Sequence, residues 1–128
     1  VLRAKLPRID HYNQQRRRVA QRYQLALAGL PLHTPFEDGI GLHVYHQYTL
    51  LCEQRTQVQQ ALTAAGIASA IYYPVPLHQQ KVFAAEAAGQ SFPVTESVAQ
   101  RCLSLPIYPE LSDAAIDEIG AVIRQALA

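Results

Sequence analysis

Residues 66–78 are the segment that most restricts how this 128-residue chain can fold. They read Gly-Ile-Ala-Ser-Ala-Ile-Tyr-Tyr-Pro-Val-Pro-Leu-His. The glycine is a typical helix stop, and the apolar stretch after it suits a short strand. The two spaced prolines then make a stiff turn, because each fixes φ and lacks a backbone N–H. Two tyrosines and a histidine therefore follow a strand in a loop, where residues that line a site are often found.

Glycine and proline divide the rest of the chain into helices and strands. A helix is predicted over residues 1–28, with Pro7 either kinking it or starting a new helix, and residues 30–41 are predicted as a loop that contains proline and glycine. Strands are predicted over residues 43–52, 67–73 and 103–105. Further helices are predicted over residues 53–65, 77–88 (at least in part), 92–101 and from the cap Ser112 onward. This order predicts an α/β (α+β) fold, with helices covering one side of a small three-stranded sheet.

Charge and composition argue against several partners. The formal net charge of +1 does not indicate nucleic-acid binding. No apolar run approaches the ~20 residues that are needed to cross a membrane. The run Arg16, Arg17 and Arg18 is either a solvated helix face or a contact with anionic groups. Cys52 and Cys102 lack CxxC spacing, so buried free thiols in a reducing cytoplasm are favoured over a disulfide or a metal site.

The chain lacks the common sequence patterns of catalysis. Lys5 and Lys81 sit in polar or helical contexts that do not suit a Schiff-base lysine. No glycine-rich phosphate loop and no Ser/His/Asp motif occurs, and His43 and His46 point to opposite faces of their predicted strand. We therefore assign no catalytic, cofactor-binding or metal-binding residue.

Four residues are candidates for substrate binding. Tyr72 and Tyr73 point to opposite faces if the segment is extended, which would leave one packed and one open to a ligand. His78 either hydrogen-bonds a substrate or a carboxylate, or is a capped loop histidine. His46 shares a strand face with Tyr48 and is either a core histidine or a ligand contact.

Five segments, in this order, resemble one enzyme family. They are residues 5–17, which contain Lys-Leu-Pro and Tyr-Asn; residues 43–50; residues 66–78; residues 92–94; and residues 103–109, which contain Leu-Ser-Leu-Pro and Tyr-Pro. In this order they resemble the C-terminal domain of the DegT/DnrJ/StrS-type aminotransferases. These are pyridoxal phosphate (PLP) enzymes that transfer an amino group, usually from glutamate, onto a nucleotide-linked keto sugar.

The resemblance implies several properties. The fold would be the small domain of the type I aminotransferase fold, with a mainly antiparallel three-stranded sheet. Residues 1–29 would be a linking helix and residues 42–128 the sheet-and-helix core of a single domain. The enzyme would be a cytoplasmic dimer, with Tyr72 and Tyr73 beside the sugar. His78 would be the last residue of the motif at residues 66–78. Tyr72 departs from the histidine of some members.

The first residues predict that the chain is the C-terminal piece of something longer. They are helical from Val1 with no N-cap ahead of them, and the chain has no methionine. In the family, the cofactor lysine belongs to the large domain, so we expect this chain neither to bind PLP tightly nor to transaminate alone. An apolar stripe on the first helix would be exposed and open to self-association. The alternative is a stand-alone, non-catalytic domain that binds a nucleotide sugar or docks onto a full-length enzyme.

Overall fold

The first helical region is broken at Pro7, as predicted. The computed structural model describes residues 2–128, so Val1, where the predicted helix starts, lies outside the described residues. Helix α1 (Leu2–Lys5) is followed by a 3-10 turn at Leu6–Arg8 and then by α2 (Ile9–Ala26). Proline lacks the N–H that an uninterrupted helix needs, which explains the tighter turn. Leu2, Leu6 and Ile9 are exposed, but Val19, Ala20 and Tyr23 of α2 are buried in the core. The prediction of an exposed apolar stripe therefore holds only for the first residues of this region, and self-association stays a prediction.

The sheet contains three antiparallel strands, which confirms the predicted fold class. Strand β2 (Tyr48–Cys52) lies between β1 (Leu32–His33) and β3 (Cys102–Leu105). In the β2–β3 register, Tyr48 faces Leu105 and Thr49 faces Ser104. Side chains alternate between faces, so the sheet has a buried side with Tyr48, Leu50 and Cys52 and an outer side with Thr49 and Leu51.

Two strand predictions were wrong. Residues 67–73 make a single bridge, between Ala70 and Ser104, because Pro74 and Pro76 follow at once and cannot donate to a ladder. The third strand is β1, within the stretch predicted as a loop. Strand β2 starts at Tyr48 and not at residue 43, because Tyr45 adopts a left-handed φ of 47° that interrupts the extended chain.

The remaining helices follow their sequence signals. Helix α3 (Arg55–Ala64) ends at Gly66, whose φ is +71°, and the amides of Gly66 and Ile67 bond back to Thr63 and Leu62 in a Schellman motif. Helix α4 (Pro93–Arg101) begins on proline. Helix α5 (Asp113–Ala126) is capped by the Ser112 side chain, which accepts from the Ala115 amide. Residues 77–88 contain two 3-10 turns, at Leu77–Gln79 and Lys81–Phe83.

The core lies between the inner side of the sheet and helices α2, α3 and α5. Its centre is a stack of tyrosines: the rings of Tyr23 and Tyr48 are 4.8 Å apart, and those of Tyr45 and Tyr48 are 6.1 Å apart. The Tyr23 hydroxyl donates to the Pro106 carbonyl at 2.9 Å, and burial raises the pKa of this phenol. The aliphatic part of the core comprises Val19, Leu50, Val58, Leu62, Leu103, Ile116 and Ile123. Among residues 2–128 no helix is both long and apolar enough to cross a membrane.

Helices α2 and α5 approach each other closely because Gly120 has no side chain. A Cβ at this position would lie 2.9 Å from the Cβ of Ala26, closer than carbon atoms pack. Arg18 and Arg22 on α2 pair with Asp113 and Asp117 on α5 along the same seam. The arginine run is thus not a simple solvated face, because Arg17 and Arg18 contact carboxylates of this chain.

Gly120→Val will destabilise the fold. Its side chain would force α2 and α5 apart, since Ala26 belongs to a helix and cannot move alone. We expect the free energy of unfolding to fall by about 1–3 kcal/mol. Urea unfolding followed by circular dichroism would measure this change.

The matched control is Ala121→Val, which adds the same β-branched side chain at the exposed neighbouring position of α5. It should change the unfolding free energy by a few tenths of a kcal/mol at most, roughly the helix-propensity difference. Equal losses in both variants would show that propensity, and not the close approach of the helices, sets the effect.

Candidate functional site

A groove on the outer side of the sheet is the candidate functional site. It has a volume of about 550 Å³ and lies between β2, β3, helix α4 and the loop at residues 72–80. Its walls are mostly apolar, and they comprise Val75, Pro76, Leu77, Val94, Val98, Ala99 and Cys102. This size and character are usual for a small-molecule site.

The floor of the groove is polar. Thr49 and Ser104 face each other across β2 and β3, and their hydroxyl oxygens are 2.8 Å apart. Gln47, two residues before Thr49, lines the same groove. Strand alternation in the sequence puts Gln47, Thr49 and Leu51 on one face, but nothing in the sequence identifies that face as a site.

The two tyrosines of the proline turn form the rim. The Ala70 bridge to Ser104 holds the segment beside β3 through two backbone hydrogen bonds of 2.8 and 3.0 Å. Beyond it the chain turns outward, and Tyr72 and Tyr73 are 54% and 81% exposed. Both line the groove, so the expectation that one of them packs was wrong. The segment is irregular after Ala70, and strand alternation therefore does not apply.

His78 lies behind the groove and not in its lining. Its Nε2 atom is 2.9 Å from the Glu96 carboxylate, and its ring centroid is 4.8 Å from that of Phe92. Glu96 also accepts a 3.0 Å hydrogen bond from the Phe92 amide at the start of α4. His78 thus ties the tyrosine loop to α4, which agrees with the carboxylate interpretation. A contact between His78 and substrate stays a prediction.

His46 is exposed, so the core interpretation of this histidine was wrong. The left-handed Tyr45 shifts the alternation, and Tyr45 enters the core in its place. His46 lines a shallow depression beside the groove, and the two share Gln47 and Thr49. It is therefore near enough to the groove to remain a candidate for substrate contact.

The loop at residues 36–44 is anchored by a network that the sequence pattern missed. Arg17 donates to the Glu37 carboxylate at 3.1 Å and to the His43 carbonyl at 2.8 Å, and the Tyr45 hydroxyl donates to Glu37 at 2.5 Å. The hydrogen bond from Tyr45, followed by Arg17, lowers the pKa of Glu37, whereas burial raises the pKa of Tyr45 to about 12. The partners are 8 to 26 residues apart in sequence, so no local spacing could reveal them.

The lysines do not fit a cofactor site in this chain. Lys5 and Lys81 are both exposed, and neither lines the groove, whereas a Schiff-base lysine needs a desolvated pocket. Cys52 is a buried free thiol and Cys102 a half-buried one. Within the described part of the chain, no group of three or more His, Cys, Asp or Glu side chains could hold a metal ion.

The chain belongs to the DegT/DnrJ/EryC1/StrS aminotransferase family, whose model matches residues 1–124. The full-length members of this family are PLP enzymes.

Two curated relatives illustrate the match. A UDP-N-acetyl-3-dehydro-α-D-glucosamine 3-aminotransferase of Acidithiobacillus ferrooxidans is 48% identical over 99% of this chain and 34% of its own length. A UDP-2-acetamido-2-deoxy-3-oxo-D-glucuronate aminotransferase of Pseudomonas aeruginosa is 36% identical over 92% of this chain and 33% of its own length. The chain thus spans about a third of the length of the curated relatives it matches.

Solved structures agree with the family assignment. A DegT/DnrJ/EryC1/StrS aminotransferase from Brucella abortus superposes with a TM-score of 0.91 at 36% identity, over 100% of this chain and 34% of that one. DesV of S. venezuelae, in complex with a ketimine intermediate, superposes with a TM-score of 0.91 at 37% identity, over 100% of this chain and 35% of that one. The observed fold is therefore that of about a third of a DegT/DnrJ/EryC1/StrS aminotransferase.

Glu96→Gln will remove a pH-dependent part of the stability. The hydrogen bond from the Phe92 amide, followed by His78, lowers the pKa of Glu96 from its ordinary value of 4.5. A lowered carboxyl pKa stabilises the fold above that value, and the contribution is lost as pH falls through the folded-state pKa. We expect the variant to be less stable than the parent at pH 7, with the difference shrinking below pH 4.5. Urea midpoints measured across this range would show it.

Glu118→Gln is the matched control, because Glu118 is an exposed glutamate on α5, away from the groove. It removes the same charge without touching the start of α4. A pH-independent difference for Glu96→Gln, or an equal effect of both substitutions, would contradict the role given to the Glu96 cap.

Proposed function

We propose that this chain is the C-terminal part of a PLP-dependent aminotransferase that transfers an amino group, from glutamate, to a nucleotide-linked keto sugar. The observation that carries the proposal is the 48% identity over 99% of the chain to a relative named as a UDP-sugar 3-aminotransferase. Other relatives are named as transaminases of dTDP-linked amino sugars, including one from Streptomyces venezuelae that is 39% identical. The substrate class is therefore a pyrimidine nucleoside diphosphate sugar with a keto group.

In this proposal the chain supplies substrate-side walls and not the reactive centre. Tyr72 and Tyr73 project from the rim of the groove, where aromatic faces and hydroxyl groups are open to a sugar. His78, through Glu96, holds their loop against α4. The cofactor, which acts as the electron sink in amino transfer, would be held by residues outside this chain, because neither of its lysines is desolvated.

The proposed assembly is a cytoplasmic homodimer. Exposed apolar side chains lie on α1, on the 3-10 turn after it and in the 36–44 loop, and they are Leu2, Leu6, Phe36, Ile40 and Leu42. Apolar surface of this kind is usual where a domain packs against other parts of an enzyme. Dimer formation would bring the tyrosine loop of one subunit to the active site of its partner.

The 128-residue chain alone will not transaminate. The test compares this chain with the product of the complete reading frame that contains it, each supplied with PLP, glutamate and a UDP-linked 3-keto sugar. We expect formation of 2-oxoglutarate with the longer protein only, because the cofactor lysine is then present. Amino transfer by the isolated chain would contradict the division of roles.

The same experiment distinguishes the proposed enzyme from the alternative, a stand-alone domain that binds a nucleotide sugar. If the reading frame begins at Val1 and contains no lysine-bearing domain, the stand-alone binding domain is the better account. If a longer product exists but is inactive on every pyrimidine-nucleotide keto sugar tried, the proposed substrate class is wrong.

Tyr73→Ala in the longer protein will weaken substrate binding more than it slows chemistry. Tyr73 is 81% exposed, so its removal should leave the fold intact. We expect KM for the nucleotide sugar to rise about tenfold, which corresponds to about 1.4 kcal/mol, with a smaller change in kcat. Tyr108→Ala is the control, because Tyr108 is 48% exposed and lies outside the groove lining. An unchanged KM in the Tyr73 variant would remove this residue from the substrate-binding surface.

A further inference from the structure

We propose that Asp38 and Gly39 form a modification site, at which the chain isomerises slowly and without an enzyme from aspartate to isoaspartate. The reacting groups are the Asp38 side-chain carboxyl group, the Gly39 backbone nitrogen and water. The inference does not depend on the proposed function, because these two residues belong to the 36–44 loop and do not line the groove.

The reaction releases one water molecule and takes one up again. The Gly39 nitrogen attacks Cγ of the protonated Asp38 carboxyl group, so that a C–N bond forms, the nitrogen loses its proton and one carboxyl oxygen leaves as water. The product is a five-membered succinimide ring. Water then adds to one of the two ring carbonyl carbons and breaks the bond from that carbon to the nitrogen. Opening at Cγ restores aspartate, whereas opening at the main-chain carbonyl carbon leaves a chain that runs through Cβ and Cγ, which is isoaspartate.

Glycine is the residue that hinders this ring closure least. It has no Cβ beside the attacking nitrogen, and the φ of Gly39, +77°, lies in the left-handed region that glycine adopts freely. A Cβ at Gly39 would meet no other atom within 4 Å, so the surroundings leave room for the ring. Asp38 and Gly39 are the only Asp-Gly pair in the sequence, which has no Asn-Gly pair.

The Gly39 nitrogen is not held by a hydrogen bond. Among residues 2–128, no atom accepts a hydrogen bond from this amide. The Asp38 carboxylate accepts a 2.9 Å hydrogen bond from the Ile40 amide, which folds the side chain back over the Gly39 backbone. Asp38 and Gly39 are both exposed, so water reaches the ring. The carboxyl carbon, the nitrogen and the water are therefore close to one another.

The other aspartates lie in helices and do not share this arrangement. Asp10 belongs to α2, and Asp113 and Asp117 belong to α5. Each is followed by a residue with a side chain, and regular helical φ and ψ angles do not allow the five-membered ring to close. The reaction should therefore concentrate at Asp38.

Isomerisation would change the shape of the 36–44 loop, because the loop is fixed on both sides of Asp38. Arg17 donates to the Glu37 carboxylate at 3.1 Å and to the His43 carbonyl at 2.8 Å. Isoaspartate puts an additional carbon atom into the main chain between these two anchors. Ile40 and Leu42, which are 91% and 80% exposed, would then have to move.

Incubation of the folded chain for several weeks at neutral pH and body temperature tests the proposal. Trypsin then releases Asp38 in the peptide of residues 23–55, apart from the other aspartates. An isoaspartyl O-methyltransferase with labelled S-adenosylmethionine measures isoaspartate in each peptide, and electron-transfer fragmentation locates it. We expect several-fold more isoaspartate in this peptide than in all the others together. No isoaspartate there, or as much at the helical aspartates, would overturn the inference.

Three variants isolate the reaction. Asp38→Glu keeps the carboxylate but would need a six-membered ring, so it should abolish the product. Gly39→Ala places a Cβ beside the nitrogen and should slow the reaction several-fold. Gly41→Ala is the matched control and should react like the parent, because Gly41 is exposed, has no positive φ and has room for a Cβ. Equal slowing in both alanine variants, or unchanged product in Asp38→Glu, would overturn the inference.

A synthetic peptide of residues 34–44 provides the reference rate for an unfolded loop. We expect the folded chain to react within several-fold of the peptide rate, because the fold leaves the Gly39 amide exposed and without an acceptor. A rate in the folded chain below this range would show that the loop prevents ring closure, and the inference would be wrong.

Discussion

The packing of Tyr48 against Tyr23 is the interaction on which the rest of the structure depends. It joins the long helix α2 to the central strand, and Tyr45 extends the stack to the end of the 36–44 loop. Aromatic rings of this size bury a large apolar area, so the stack settles which side of β2 faces the helices. Because side chains alternate along a strand, Thr49 is then turned to the outer side, where it forms the floor of the groove.

The parts of the groove are held in place by different kinds of contact. Its floor belongs to paired strands, and its wall α4 is held by the Glu96 cap at its start. The tyrosine rim lies outside the paired strands and is held by the bridge at Ala70 and by the contact between His78 and Glu96. A rigid floor with a more lightly held rim suits a site that must admit a ligand and also meet other parts of a larger enzyme.

Sequence reasoning succeeded where local chemistry decides the structure. The break at Pro7, the stop at Gly66, the start of α4 at Pro93 and the Ser112 cap all follow from single residues with strong backbone preferences. It failed where long-range pairing decides, as at β1, which exists because Leu32 and His33 find partners in β2. It failed also for His46, since one left-handed residue at Tyr45 reversed the faces of the stretch around it.

The sequence by itself determined the fold class, the order of most elements and membership of the aminotransferase family, because these depend on periodicity and on motifs in a set order. It also indicated that Tyr72 and Tyr73 follow a strand in a stiff turn. Only the tertiary structure decided that both tyrosines share a groove with Thr49 and Ser104, and that His78 binds Glu96 behind it. The groove joins segments that are 55 residues apart in the chain, as Thr49 and Ser104 are, and no local preference encodes such a meeting.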